Sequence, residues 1–473
     1  MQTAVGSTRP LYLHNTLGNS REEFKPLGTT VKMYNCGPTV YNVQQIGNLS
    51  SSGGVFGDLL RRVLEYNGYA VKQVINITDF GHLTSDADEG EDKMSAGLKR
   101  EGMAPSLENM KKLADRYTDV FLKDIAALNV LVDKIEFPRA SEYVPAQIAL
   151  IQTLDEKGYV YKTSDGLYFD TSLFPSYGAL GDIDVEHLKA GARIALNPQK
   201  KHPADFALWK FNKALGWDAP WGKGFPGWHI ECSAMIRSIL GERIDIHTGG
   251  IEHVAIHHNN EIAQSEAASG KTPFVRYWLH RAHIQIEGKK ISKSLGNVLY
   301  LTDVVARGFD PVALRYWFLT AHYRSHVNFT WEALEGAATA LKRLQKVAAE
   351  ITETPSAVPI QWQKRFHERI NDDLDTPGAI AVMWDMLKDE EISPAERKAA
   401  LLDFDRVLGL SLADAKAPPP IEIPSDVQVL VNEREAARLA KNWQRSDELR
   451  MHLKKRGFAV EDTPTGPRLT HLT

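Results

Sequence analysis

The chain has 473 residues, 43% of them hydrophobic and 25% charged, a make-up that excludes the disordered and fibrous classes. That length accommodates roughly two to four domains, each able to bury its own core. With a formal charge of −4, the field of the whole molecule does not attract phosphate, so a nucleic-acid partner has to be met by local basic patches.

Residues 31–35 form a short β-like run leading into Cys36-Gly37-Pro38-Thr39; after a loop, 55–66 has the spacing of an amphipathic helix closed by Asn67-Gly68. A Val- and Ile-rich stretch, 70–77, follows. Strand, glycine-bearing loop, helix and strand make one βαβ crossover, so the sheet is expected to be parallel with its ligand at the strand C-termini. Residues 107–128 read as a helix, and 159–161 and 167–169 read as a hairpin around Ser164-Asp165-Gly166, inside a segment that has the look of an insertion. The α/β pattern is expected to resume with a strand at 206–211, a helix near 233–240, a strand at 244–247 and a helix near 258–268.

Beyond Asp310 the pattern turns helical without strands: 312–320, 331–352, 362–372, 376–388 and 394–407. Residues 415–425 contain Pro418-Pro419-Pro420 and read as a stiff linker. After it, a helix over 427–457 places Arg434, Arg438, Lys441 and Arg445 in a stripe, either a solvated face or a phosphate contact. The expected fold is therefore α/β: a Rossmann-type parallel-sheet domain in two halves (20–132 and 204–310) split by an insertion (133–203). A helical bundle (311–414), the linker (415–425) and a small C-terminal domain (426–473) follow. No run of about 18 uncharged apolar residues occurs, and 1–15 lacks an apolar signal core, so a cytoplasmic chain without a membrane span is expected.

Two clusters carry chemistry. His257 and Glu261 stand four apart, one turn of a helix, and can seat a metal from one face. Cys36 ends a proposed sheet strand and Cys232 precedes a helix of the same domain, so the four make a possible zinc set with a position left for substrate. Two buried structural thiols are the alternative. The segment 287–297 (EGKKISKSLGN) sets cations and hydroxyls between glycines, either a solvated loop or a mobile grip on polyphosphate.

With these pieces in place the chain resembles the cysteinyl-tRNA synthetases over nearly its whole length. The matching strings are YNCGPTVY (34–41), NITD (76–79), ADFALWK (204–210), FPGWHIECSAM (225–235), DIHTGG (245–250), HHNNEIAQS (257–265), KISKSLGN (290–297) and HYRSHVNFTW (322–331). The C-terminal 437–450, with Ser446-Asp447-Glu448-Leu449-Arg450, is also similar to that family's closing domain. The resemblance implies a class I catalytic domain, a connective insertion, a stem-contact region with a helical bundle, and an anticodon-binding domain. It implies one Zn2+ per subunit held by Cys36, Cys232, His257 and Glu261, with Gly37, Thr39, Thr78 and Trp228 around the amino acid. It implies Lys290 and Lys293 on the departing pyrophosphate, and ATP contacts at Gly47, Asn48 and Lys293. The partners implied are ATP with Mg2+, L-cysteine and tRNA(Cys), with the chain expected to act as a monomer.

The sequence departs from the family at its other nucleotide motif, His-Ile-Gly-His or His-Ile-Gly-Asn, which stands here as Gln45-Ile46-Gly47-Asn48. The Arg-Thr-containing segment that follows is replaced by Leu49-Ser50-Ser51-Ser52-Gly53-Gly54, two residues longer and without a basic group. Gln45 and Asn48 hold the catalytic positions of that motif by resemblance. A glutamine donates a hydrogen bond but carries no charge, and losing one transition-state donor costs about 10² to 10³ in rate. The readings left open are an active cysteine–tRNA ligase, an impaired paralogue that binds tRNA or cysteine, and a ligase joining cysteine to a small-molecule amine.

Overall fold

Apolar periodicity builds the first crossover as expected. The structure is a computed structural model describing residues 10–80, 93–183, 198–290, 297–416, 423–463 and 466–471. Strand β1 (Thr30–Asn35) runs into the Cys36 loop; α1 (Ile46–Ser50) and α2 (Val55–Tyr66) follow; β2 (Ala70–Ile75) returns beside β1. On α2 the residues Val55, Phe56, Leu59, Leu60, Val63 and Leu64 are all buried, the stripe that a helix laid on a sheet requires. The sheet is completed by β3 (Ile135–Glu136), β4 (Ile244–Gly250) and β5 (Val275–Arg281), with α3 (Trp228–Ile239) and α4 (His257–Ser269) flanking β4 in the chain.

All five strands are parallel in the order β5-β4-β1-β2-β3. Chain order reverses between β1 and β4, and at such a switch point the loops leave a crevice beyond the strand C-termini. Every residue of β4 is buried, as a parallel strand covered on both faces demands. One core packs Val31, Met33 and Leu279 with α2 and the later helices; the other packs Tyr34, Val74 and Trp278 with α3 and α4.

Three expectations about strands are corrected. The segment Phe206–Phe211 does not rejoin the parallel sheet: it pairs antiparallel with Gly166–Phe169 and Gly224–Pro226, in a four-stranded sheet with the Val160–Lys162 hairpin arm. An antiparallel strand and a buried parallel one share the same apolar residues, and only pairing tells them apart. Ile135–Glu136, inside the expected insertion, is instead the edge strand of the core sheet. The region beyond Asp310 does contain a strand, Val327–Phe329, parallel to Ile284–Ile286.

The helices there are Pro311–Leu319, Trp331–Glu350, Ile360–Ile370, Thr376–Met386 and Pro394–Leu408. Four of these starts are capped by side chains: Asp310 accepts from Val312 N, Thr330 from Ala333 N, Asp375 from Gly378 N, and Ser393 forms a capping box with Glu396.

The chain divides into two units, Met1–Ala415 and Lys416–Thr473. In the second, the single helix expected over 427–457 is two, Ser425–Leu439 and Trp443–Lys455. Lys441 takes φ +58° between them, and Asn442 caps the second by accepting from Arg445 N. A hairpin of Phe458–Thr463 and Gly466–His471 closes the unit. The basic stripe is largely spent internally: Arg434 is buried and donates two hydrogen bonds to Asp462 at 2.7 and 2.9 Å, and Arg438 pairs with the same carboxylate. Among the described residues no helix is long and apolar enough to cross a membrane.

Candidate active site and metal centre

Cys36 leaves β1 at the switch point. Its backbone N–H donates to Thr248 O of β4 at 3.0 Å, and its carbonyl accepts from Ser52 Oγ at 2.7 Å. The next residue must be glycine: a Cβ on Gly37 would stand 1.7 Å from Asn76 O, while its N–H donates to Asn76 Oδ1 at 2.8 Å. Thr39 and Thr78 bridge the two segments, with Val40 N on Thr78 O and Thr78 N on Pro38 O at 3.0 and 3.1 Å. Thr78 Oγ1 donates to Glu231 Oε2 at 3.1 Å.

Cys232 on α3 and His257 and Glu261, one turn apart on α4, face Cys36. Their ligand atoms lie within 4.8 Å of one another, and all four side chains are buried. Glu261 Oε1 is 2.9 Å from His257 Nε2 yet has no aligned hydrogen-bond donor among the described residues, so a buried carboxylate oxygen is left in the cluster. The second ring nitrogen of His257 is 2.9 Å from His229 Nδ1, which leaves Nε2 for the cluster. Two sulfurs, an imidazole and a carboxylate form a donor set suited to zinc.

The four groups shift one another's protonation strongly. Burial acts to raise the Cys36 thiol, but a hydrogen bond shared with Cys232 and the neighbouring His258 and His253 bring it well below the usual thiol range. Cys232 is pushed well above it by the same shared hydrogen bond, by burial and by Glu261. The pair thus holds one proton between two sulfurs. Burial raises Glu261, but His247 and His257 bring it down to about 2; burial lowers His257, but Glu261 lifts it to about 10.

A second set, Cys36, His247, His258 and Glu261, shares two members with the first. The first opens on the cavity through Cys36, Cys232 and His257, the second through Cys36 alone. That cavity, about 270 Å³, is also lined by Gly37, Thr39, Asn48, Thr78 and Trp228, the Trp228 ring stacking on His257 at 4.3 Å. It is of amino-acid size. Gln45 and Gly47 do not line it. Lys290 ends a two-residue strand begun at Lys289; its side chain, and Lys293 with the rest of 291–296, lie outside the described residues.

Comparison with known proteins agrees with this architecture. Residues 23–339 match the model of the class I tRNA synthetase (C) catalytic domain, and residues 422–467 that of the cysteinyl-tRNA ligase anticodon-binding domain. Cysteine–tRNA ligase 1 of Burkholderia lata is 48% identical over 467 residues, 97% of each chain. The chain belongs to the cysteine–tRNA ligase family. The Treponema denticola cysteine–tRNA ligase is 40% identical, covering 96% of this chain and 98% of its own. Membership makes the protein an aminoacyl-tRNA ligase. In fold it is also similar to the Mycobacterium tuberculosis methionyl-tRNA synthetase solved with methionyl-adenylate, with a TM-score of 0.57 at 15% identity over 83% of this chain and 92% of that one.

The motif in which this cysteine–tRNA ligase family member departs from its kin is built without charge. Gln45 Nε2 donates to Asn48 Oδ1 at 3.4 Å, Asn48 Nδ2 donates to Gln44 Oε1 at 2.7 Å, and Ile46 N donates to Leu299 O at 2.9 Å. Gln45 Oε1 is buried and, among the described residues, has no hydrogen-bond partner. Sequence reasoning missed the histidines behind the metal set. His258 links Cys36 Sγ at 3.3 Å to His280 at 2.7 Å, and His280 reaches Thr16 Oγ1 at 2.7 Å. Their partners are 200 or more positions apart for the first and last links. A hint lay in the polar run Asp245, His247, Thr248 of a strand otherwise fit for burial.

Proposed function

We propose that the chain activates L-cysteine with ATP and passes the cysteinyl group to tRNA(Cys), selecting the thiol at a zinc site made by Cys36, Cys232, His257 and Glu261. The carboxylate of cysteine attacks the α-phosphorus of ATP, expelling pyrophosphate; the terminal ribose hydroxyl of tRNA then attacks the acyl carbon and releases AMP. Zinc, when bound, supplies a Lewis acid that prefers a thiolate to the hydroxyl of serine. A preference of 10⁴ corresponds to about 5.5 kcal/mol, more than a hydrophobic pocket gains from one group.

The protein's own residues do the rest. His229 orients His257. Gly37 and Asn76 fix the loop that carries Cys36. Trp228 covers the cavity wall beside His257. Lys290 and Lys293 balance the charge of leaving pyrophosphate, with Mg2+ accompanying ATP. Gly47 and Asn48 sit against the nucleotide, and a monomer in the cytoplasm completes the reading.

The convergence of Cys36, Cys232, His257 and Glu261 on one cavity carries this proposal. It is tested by cysteine-dependent exchange of pyrophosphate into ATP, charging of tRNA(Cys), and metal analysis of the same preparation. Exchange with cysteine but not serine, with one zinc per chain, is expected; zinc-loaded protein without exchange overturns it. Gln45 Oε1, without a hydrogen-bond partner among the described residues, favours a second reading, a chain that binds its ligands and turns over poorly. Exchange that emerges only in Gln45→His selects that reading.

A further inference from the structure

A segment that must meet a triphosphate holds no cation. From Gln44 to Gly57, across the nucleotide motif and the loop that follows it, there is neither lysine nor arginine nor histidine. Such a motif can offer amides and hydroxyls, but the ligand carries several negative charges. The chain supplies a guanidinium from elsewhere. Arg281 is the last residue of β5, at the C-terminal rim of the sheet where ligands of open α/β sheets bind. Side chains alternate along β5, so Trp278 and His280 face the metal side while Tyr277, Leu279 and Arg281 face α1 and α2.

Arg281 Nε donates to Ser50 Oγ at 3.2 Å, and that hydroxyl donates to Gly47 O at 2.7 Å, so the guanidinium is tied to the motif through Ser50. Its other side rests on the Phe318 ring, 5.8 Å from the centroid. The residue is 5% exposed, and among the described residues no carboxylate pairs with it. Burial alone, with no opposing acid, pulls its pKa down to about 10. A buried arginine held by one neutral hydroxyl is costly unless an anion completes it.

We propose that Arg281 is a phosphate-binding cation of the nucleotide site, additional to Lys290 and Lys293, reaching the ATP polyphosphate from β5 in place of a basic residue on the motif itself. This rests on the reading of the crevice as an ATP site. It assigns a binding residue, and the ligand group is the phosphate chain rather than the base or ribose.

The test is a ratio: affinities of the full-length, zinc-loaded chain for Mg-ATP and for adenosine, measured by calorimetry for wild type, Arg281→Gln and Arg281→Lys. One charge-assisted hydrogen bond lost predicts about 10- to 100-fold weaker ATP binding in Arg281→Gln with adenosine unchanged within twofold. Arg281→Lys should recover part of the loss. Equal ATP affinity in wild type and Arg281→Gln, or parallel loss of ATP and adenosine, overturns the assignment. Should Arg281→Gln not fold, the ATP-to-adenosine ratio of Ser50→Arg/Arg281→Asn, which moves the cation onto the motif, decides. A ratio near wild type supports the proposal and one at least tenfold lower overturns it. Wild type that binds ATP without catalysing exchange sinks the activation chemistry and leaves Arg281 standing, so the two failures are distinguishable.

Discussion

Replacing Asp58 by asparagine removes one charge from the seat of α2 while keeping its shape. The carboxylate is fully buried: Oδ2 receives Arg62 Nε and Arg315 Nη2, each at 2.7 Å, and Oδ1 accepts from Leu131 N at 3.0 Å. Burial acts to raise its pKa, but Arg315 and Arg62 outweigh burial and hold it below the usual carboxylate value. Removing one partner of a buried ion pair costs about 3 to 5 kcal/mol. Arg315 keeps the carbonyls of Leu408, Leu128 and Asn129, so the low end, about 3 kcal/mol, is expected. Urea unfolding at pH 7, followed by tryptophan fluorescence, reads it. Because the folded pKa is depressed, this stabilisation is present above the unfolded Asp pKa of about 3.9 and is lost as pH falls through the folded value. The gap between wild type and variant should therefore close in acid. In a double-mutant cycle, Asp58→Asn/Arg315→Met should cost about 2 kcal/mol less than the sum of its parts. Strictly additive losses, or a single-mutant loss below about 1 kcal/mol, would refute the argument.

Three further outcomes are expected. Gly37→Ala should abolish cysteine binding and lower zinc content, since its methyl meets Asn76 O at 1.7 Å and the Cys36 loop has to move; equilibrium dialysis with metal analysis checks it. Asp124, half-buried and with Oδ2 unpaired among the described residues, has its pKa raised by burial to about 6. A raised acid destabilises the folded state above that pKa, so Asp124→Asn should gain about 1 kcal/mol at pH 7 after allowing for solvent screening. Thermal melts should show the gain fading as pH falls from about 6 toward 4. Cys232→Ser should lose zinc by at least tenfold in affinity in a chelator competition while melting within a few degrees of wild type, because a serine hydroxyl stays protonated.

How far the sequence alone reaches depends on the range of the interaction. Helix α2 ends where its apolar spacing and Asn67-Gly68 say it should, because helix periodicity and capping are local. The strand Phe206–Phe211 carries residues that suit burial in either sheet, so its sequence does not reveal the antiparallel partner it takes. The break at Lys441 carries no glycine or proline; its one local mark is Asn442, which caps the second helix, and an asparagine inside a run of helix-forming residues is easily passed over. At the site, His257 and Glu261 announce themselves by helical spacing, and the two cysteines by their scarcity. Arg281 gives no such signal: its partner Ser50 stands 231 positions away.

The hydroxyl of Ser52 hangs on the carbonyl of Cys36. Whatever turns that one peptide plane displaces the serine-rich loop along with the sulfur. Tuning for the amino acid and tuning for the nucleotide therefore draw on a common hinge, and drift in residues 50–54 is bounded by what the thiol's position tolerates. This anchor, with Arg281 on the Ser50 hydroxyl, holds a loop free of charge to its register.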